Sequence, residues 1–451
     1  MLKTGQQAAA DGRSIIDRVR AAGVVGAGGA GFPTHVKLAA KADLVIANGA
    51  ECEPLLRVDQ TIMQHQADRL VIGLEAAMQA VGASRGVIAT KKHYHEAVAA
   101  LEAATEGKEA LSLYLMDSYY PAGDEKSLIH DVTGEVVRSA KLPADYGCVV
   151  CNVGTLVNIA DALEGKAVTD KLVTVCGDVP QPATFQAPVG TAMRALIAAT
   201  GFTGDERTHA VIEGGPLMGH VRDSWDNPIT KTTGGLVVLP RNHYLITQIT
   251  MTVERQVKIA MAVCCQCNMC TIMCPRNSLG LHVEPHKAMR AIANGDSKLL
   301  GNVNSILACC SCNLCTYYAC NFGLTPGTVM TNIKNELARA GVRPETEQEI
   351  ALDPSLETKR IPISRLIARM GLSAYNRPAL YSPDALAPQA VTLPLRQHLG
   401  APAQPVVRAG DRVDKGQLIA RMAPDALGAD IHASMSGTVD AVTDSAIRIK
   451  R

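Results

Sequence analysis

The chain has 451 residues, 47% hydrophobic and 19% charged, with 44 Lys and Arg against 43 Asp and Glu. That length exceeds one hydrophobic core and points to three or four domains, while the even charge offers no footprint for a polyanion. Aromatics at 3% with a single tryptophan, Trp225, and the lack of any apolar run able to span a bilayer predict a cytosolic chain with no nucleic acid partner and no membrane insertion.

In chain order, Ser14 to Ala22 predicts a short helix with Ile15, Ile16 and Val19 on one face. A glycine-dense stretch from Gly23 to Pro33 follows, then an apolar run, Ala42 to Ala47, that reads as a buried strand ending at Asn48. Helices and short strands alternate from there, which predicts an α/β domain over 1–165, Rossmann-like, with its polar loops at strand ends. From Lys171 the text turns to short strands broken by Pro180, Pro182 and Pro188, with one helix near Thr191 to Ala199 and turns at Gly214 to Gly219 and Thr232 to Gly235. A β-grasp module of the SLBB type over 166–245 fits that length. Residues 250–342 set cysteines in helical sequence, as in a two-cluster ferredoxin. The Pro-punctuated 343–394 reads as a linker with a short helix at Ser364 to Met370. Residues 395–451, short strands with regular glycine turns, resemble a barrel-sandwich module of the lipoyl type. Its candidate hairpin tip, Arg421 to Asp430, contains no lysine to modify, so a structural or docking role is expected. The whole is predicted as a multidomain α/β and α+β protein.

Fourteen cysteines suggest disulfides, yet ten of them fall between Cys264 and Cys320, unlike any framework spread through a secreted chain. Cys264, Cys267, Cys270 and Cys274, followed by Pro275, reproduce the run C-x2-C-x2-C-x3-C-P that holds four-iron clusters. Cys309, Cys312, Cys315 and Cys320 repeat it with one extra residue before the last. In two-cluster proteins the fourth cysteine of each run serves the other cluster. That rule assigns Cys264, Cys267, Cys270 and Cys320 to one cluster, and Cys309, Cys312, Cys315 and Cys274 to the second. Zinc is the competing reading of C-x2-C pairs, but zinc needs four thiolates per site and no third C-x2-C repeat. Cys265 and Cys310 each follow a first ligand directly and either stands where it can replace its neighbour. A non-ligating thiol is the simpler reading, as it is for the scattered Cys52, Cys148, Cys151 and Cys176.

Gly26-Ala-Gly-Gly-Ala-Gly31 is by itself a weak signal, since glycine turns often serve packing alone. It gains weight from Phe32, Pro33, Thr34 and Lys37 directly after it. Further on come Asn48, Glu51 and Glu53, then Tyr120 to Glu125, then Asn152 to Thr155. Together these stretches resemble the superfamily that joins the flavin-carrying subunit of respiratory complex I to the RnfC component of the Rnf ferredoxin:NAD oxidoreductases. Over its whole length the chain most resembles the cobalamin reductases of propanediol-utilisation microcompartments. The resemblance implies that Gly26, Gly28, Gly29, Phe32 and Lys37 surround the phosphate and ribityl chain of FMN, with Asn48, Glu51, Tyr120, Gly123 and Asn152 nearby. Glu53 and Glu125 fall where the family contacts flavin or nucleotide. Ala27 stands where the complex I relatives carry arginine, and Cys151 where they carry an asparagine.

The resemblance further implies an enzyme with NADH as donor, FMN, two 4Fe-4S clusters and a corrinoid acceptor, reduced toward cob(I)alamin for an adenosyltransferase among microcompartment shell proteins. Hydride brings two electrons and a cluster takes one, which explains why flavin and clusters share a chain. Such chemistry asks for no catalytic acid or nucleophile. The corrinoid fingerprint D-x-H-x-x-G starts well at Asp430 and His432 but has Met435 in place of glycine. Two other readings stay open: an electron-input subunit of an Rnf-type ferredoxin:NAD complex, and a non-catalytic scaffold stiffened by its clusters.

Overall fold

The computed structural model describes residues 12–346 and 349–451. The helix expected near the start spans Gly12–Ala21, with Ile15 and Val19 buried. Strands Leu44–Gly49, Arg85–Lys91, Leu111–Met116 and Cys148–Asn152 form a fully parallel sheet, Leu44–Gly49 lying between Arg85–Lys91 and Cys148–Asn152. Side chains alternate across it: Val45, Ala47, Val149 and Cys151 face one helical layer, while Leu44, Ile46, Cys148 and Val150 face the other. Burial on both faces is why the first strand reads as one continuous apolar run.

The chain builds outward from Leu44–Gly49 to Leu111–Met116, then crosses back to add Cys148–Asn152 on the opposite side. The loops leaving those two neighbouring strands therefore diverge and leave a crevice at the carboxyl edge, the switch point where open α/β sheets take ligands. Asn48, Glu51 and Asn152 belong to that edge.

The second module is a β-grasp. Hairpin Asp170–Gly177 and Ala183–Pro188 is followed by helix Met193–Ala199, and Gly235–Pro240 returns parallel to the first strand between it and His209–Glu213. The stretch expected as a linker is knitted in. Its strand Leu380–Ser382 extends this sheet beside Ala183–Pro188, and Ile361–Pro362 pairs with Tyr119–Tyr120 of the first module. Backbone donors left at a sheet edge accept such additions, and two- or three-residue pieces leave no periodicity to read. Its short helix spans Ile363–Arg369.

Helices Val253–Val263, Pro285–Asn294 and Pro326–Arg339 frame the cysteine loops. The C-terminal sandwich sets a sheet of Ala390–Pro394, Ala446–Lys450, Gly437–Val442 and Arg412–Val413 against Gln404–Pro405, Leu418–Arg421 and Ile431–His432. No helix of the described residues is long and apolar enough to cross a membrane.

Candidate functional site

The glycine loop is closed at its base by a bridge between Val25 and Pro33, by Gly26 N–H on Phe32 O at 2.9 Å and by Gly31 N–H on Gly26 O at 3.2 Å. Its tip, Gly28 to Ala30, is exposed. A Cβ on Gly28 would come within 3.2 Å of Asn152, and Gly29, at φ +110°, faces open space. The tip therefore has to be glycine both for close approach and for a backbone angle that other residues avoid. Ala27, at the position of the complex I arginine, is buried and fixed through its backbone. Its N–H donates to Thr155 Oγ1 at 2.9 Å and its carbonyl accepts Lys171 Nζ at 2.7 Å. The buried Lys171 thus brings a positive charge to this corner of the loop from the β-grasp module. Burial pulls its pKa down to about 8, with Asp59 and Glu51 resisting.

Lys37 Nζ donates to Val150 O at 2.8 Å and pairs with Glu125 at 3.2 Å. Burial works against the ammonium, but Glu125 and Cys151 outweigh it and hold its pKa above the usual lysine value. Asn48 reaches across the crevice, its Nδ2 donating to Gly123 O at 3.0 Å, while Gly123 N–H donates to Cys52 Sγ at 2.7 Å. Asn152 caps helix Val153–Leu163 through Oδ1 on Gly154 N–H at 2.9 Å, and its Nδ2 lies 3.0 Å from both oxygens of Asp59. Asp59 N–H in turn donates to Glu51 Oε2 at 3.2 Å, and Lys91 Nζ to Glu51 O at 2.6 Å. Burial, and then the Asp59 charge, raise Glu51 to about 8.

Glu53, whose charge acts on Glu51 and Tyr120 of the crevice, also reaches the β-grasp module. Both its carboxylate oxygens accept backbone N–H groups of the Gly214–Gly219 loop, from Leu217 and Met218, each at 2.9 Å. Burial raises it to about 7 although those two bonds pull it back. Tyr120 is buried and donates to Cys312 O at 2.7 Å, joining the flavin-type crevice to the second cysteine loop. Asp124, which caps helix Glu125–Thr133, makes the same junction through Arg276 at 2.6 and 2.8 Å, and both side chains are buried. Asp59, Lys91, Lys171, Asp124 and Arg276 escaped sequence reasoning. The available signal was a lysine inside an apolar strand, as at Lys91 and Lys171, since such a charge needs a partner.

No disulfide joins any of the described cysteines. Cys270 is pushed up to about 12 by burial and then by its neighbours Cys320, Cys267 and Cys264. Burial and then Cys309 raise Cys274, and Cys315 is raised by burial with Cys309, Cys274 and Cys270 beside it. Cys312 has Cys310, Cys315 and Cys274 around it. The structure thus draws Cys264, Cys267, Cys270 and Cys320 into one group and Cys274, Cys309, Cys312 and Cys315 into another, with Cys310 beside the second. Both loops use the same backbone device. Gln266 and Asn268 in the first, and Ser311 and Asn313 in the second, are left-handed, with φ between 55° and 63°. Each reversal tightens the loop, and asparagine, at the second position of both pairs, tolerates that conformation better than most residues other than glycine. Cys309 Sγ accepts Ser311 N–H at 3.3 Å, and Phe322 and Leu324 N–H groups serve Cys320. Crowded, buried thiols that accept N–H bonds ionise when a cationic core replaces their protons, so the donor set fits iron–sulfur clusters. Among the described residues no three His, Cys, Asp or Glu converge on a single ion, a closeness that thiolates spread around a cubane do not require.

Comparison with known proteins follows the same division. The Nuo51 FMN-binding domain family matches residues 19–161, the 4Fe-4S dicluster domain family 263–325, and the RnfC barrel sandwich hybrid domain family 383–450. The cobalamin reductase PduS of Salmonella typhimurium is 44% identical over 440 residues, 97% of this chain and 96% of that one. The chain belongs to the PduS cobalamin reductase family. The PduS protein of Citrobacter freundii is 42% identical over 99% of both chains. The RnfC-type component of the Na+-translocating ferredoxin:NAD+ oxidoreductase complex of Acetobacterium woodii is 37% identical over 61% of this chain and 59% of its own. Among solved structures, a chain of an air-oxidized NAD+-reducing [NiFe]-hydrogenase is similar at TM-score 0.48 and 24% identity, covering 82% of this chain and 68% of that one. Membership of the PduS family includes an FMN-binding domain and a 4Fe-4S dicluster domain in one chain.

Proposed function

We propose that this protein is an NADH-dependent cobalamin reductase that delivers single electrons to a corrinoid, taking it toward cob(I)alamin for an adenosyltransferase within a propanediol-utilisation microcompartment. The observation that carries the reading is likeness to two cobalamin reductases along essentially the full chain, C-terminal sandwich included. The Rnf relative is similar over 61% of the chain and does not favour an ion-pump component.

In this reading FMN is held by Gly26, Gly28, Gly29, Phe32, Lys37, Asn48, Glu51, Tyr120, Gly123, Glu125 and Asn152. Two 4Fe-4S clusters are held by the two cysteine groups. When bound, the flavin splits paired electrons and the clusters carry them singly. The chain's own residues do the rest. The exposed tip at Gly28 and Gly29 admits a ligand to backbone N–H groups, and Lys37, on the short helix after the loop, brings a positive charge paired with Glu125. Asn48 and Asn152 fix the two diverging strand ends, Asn152 being locked by Asp59. Glu51, raised by burial, holds a proton at neutral pH at the crevice floor. Glu53, at the flavin or nucleotide in this reading, also sets the β-grasp loop against the crevice. Overall, one NADH and two acceptors give NAD+, one proton and two acceptors each reduced by one electron.

The test is an anaerobic count of iron, sulfide and flavin, followed by NADH titration with cob(III)alamin and ferredoxin as rival acceptors. The expected result is one flavin and eight irons per chain, flavin bleaching by NADH, and faster turnover with cob(III)alamin. Colourless protein containing zinc would end the proposal.

A further inference from the structure

The two cysteine groups sit in different surroundings. Cys274, Cys309, Cys312 and Cys315 are each 7% to 9% exposed, and three independent contacts bind their loops to the flavin-type crevice. Tyr120, at the crevice, donates to the carbonyl of Cys312 itself. Asp124, next to Gly123, holds Arg276, two residues beyond Cys274. Cys52, which accepts the N–H of Gly123, packs in the same apolar cluster as Cys312 and Leu314. The β-grasp loop adds a fourth link, because Asn313 donates to Leu217 O at 2.8 Å while Leu217 N–H holds Glu53.

The other group looks outward. Cys267 and the adjacent Cys265 are exposed, and Cys264, Cys270 and Cys320 are half-buried. Around them Met261, Val263, Ile272 and Phe322 stand in solvent at 64%, 40%, 42% and 51% exposure. The groups adjoin one another: Cys270 lies beside Cys315, and the turn Met269–Ile272 packs on Cys315–Ala319.

From this asymmetry we infer that the cysteine groups divide inlet from outlet: Cys274, Cys309, Cys312 and Cys315 form the flavin-side inlet, and Cys264, Cys267, Cys270 and Cys320 the outlet at which a one-electron acceptor meets the chain. Spacing alone does not distinguish the groups; the contacts of Tyr120, Asp124 and Arg276 do. Electron balance is that of the proposed reaction, two single transfers out at the outlet for each hydride received, with one proton released. Arg276 is then a positioning residue that fixes the inlet loop against the crevice, and Tyr120 ties that loop to the crevice from the flavin side. The inference rests on the presence of flavin and two clusters, and its test can fail without them failing.

The test uses the full-length holoenzyme, reduced anaerobically with dithionite and examined by EPR with and without a soluble gadolinium chelate, a relaxing agent that acts only at the surface. One of the two cluster signals is expected to relax faster with the chelate, and that signal is the one missing from Cys267→Ala. In the same variant NADH is expected to reduce the surviving cluster within twofold of the parent rate, while cob(III)alamin reduction falls at least tenfold. Equal relaxation of both signals, or of neither, in the unmodified protein overturns the division, and so does survival of the relaxed signal in Cys267→Ala. Arg276→Lys provides a second arm: NADH-driven appearance of both cluster signals slows, with flavin bleaching unchanged. Unaltered appearance of those signals would remove Arg276 from the inlet. Failure of NADH to bleach flavin in the parent protein would instead count against the proposed function.

Discussion

Glu53 illustrates how one carboxyl group couples stability to pH. Its folded pKa, raised by burial to about 7 from 4.5, means that the folded chain keeps a proton the unfolded chain has lost. Its contribution is therefore complete below pH 4.5 and is lost as pH rises through 7. At about 1.4 kcal/mol per unit, the Glu53 share is on the order of 3 kcal/mol. Glu53→Gln is expected to flatten that part of the pH dependence of urea unfolding between pH 4.5 and 7; an unchanged slope would mean that the group titrates normally. Asp59 makes a different prediction. Because it holds Asn152 by both oxygens, Asp59→Ala leaves that half-buried amide without its carboxylate partner. A lost bond of about 1.4 kcal/mol corresponds to roughly tenfold weaker flavin binding, readable by fluorescence on FMN titration. Neither role was legible in the sequence. Glu53 is expected at the flavin or nucleotide on the strength of its motif, and its pairing with a loop more than 160 residues away adds a task that no local pattern announces. The glycines and Lys37 were readable because a turn and the helix that follows it are local in the chain.

At the scale of elements, the cysteine loops were the most legible part of the molecule. Ligand spacing is dictated by chain geometry over a few residues, and the repeated left-handed turns at Gln266, Asn268, Ser311 and Asn313 express the same constraint in the backbone. The buried run Ala42 to Ala47 was readable for a similar reason, since both faces of Leu44–Gly49 are covered. What joins the elements was not readable. Arg276 and Asp124 lie 152 residues apart and their pairing follows from tertiary packing alone. Removing one partner of such a buried pair strands a charge and costs about 3–5 kcal/mol, whereas removing both costs much less. Arg276→Met is therefore expected to lower the midpoint of denaturant unfolding markedly. Adding Asp124→Asn recovers most of the loss. A double variant as unstable as the sum of the singles would show that the two side chains act separately.

For the whole molecule the decisive contact is at Lys231, where three modules meet. Its buried ammonium donates to Gly23 O of the first module at 2.7 Å and to Asp430 O of the sandwich at 2.8 Å, while its own backbone N–H reaches Gln397. Nearby, Leu399 N–H donates to Gly31 O at the foot of the glycine loop, and Lys415 pairs with Asp170. The C-terminal sandwich, lacking a lysine at its hairpin, is thus fitted as a buttress behind the glycine loop, and its loop from Met422 to Asp430 supplies a carbonyl to that junction. Burial lowers Lys231 to about 7 while Asp430 resists. A lysine whose folded pKa is depressed contributes stability that is complete above its unfolded value near 10.5 and is lost as pH falls from there through 7, so the junction loosens over that range and no further in acid. Lys231→Met keeps the bulk but removes the ammonium donor from the buried Gly23 carbonyl, about 1–3 kcal/mol, and from the part-buried carbonyl of Asp430. Hydrogen exchange in strands Leu418–Arg421 and Ile431–His432 is expected to speed up by about thirtyfold, the counterpart of roughly 2 kcal/mol, without a comparable change in Cys148–Asn152. The variant is also expected to lose the parent's extra sensitivity to pH between 7 and 10.5 in those two strands. Exchange that stays at the parent level would show that the sandwich is held by its apolar core and the Lys415 pair, with Lys231 merely enclosed between modules.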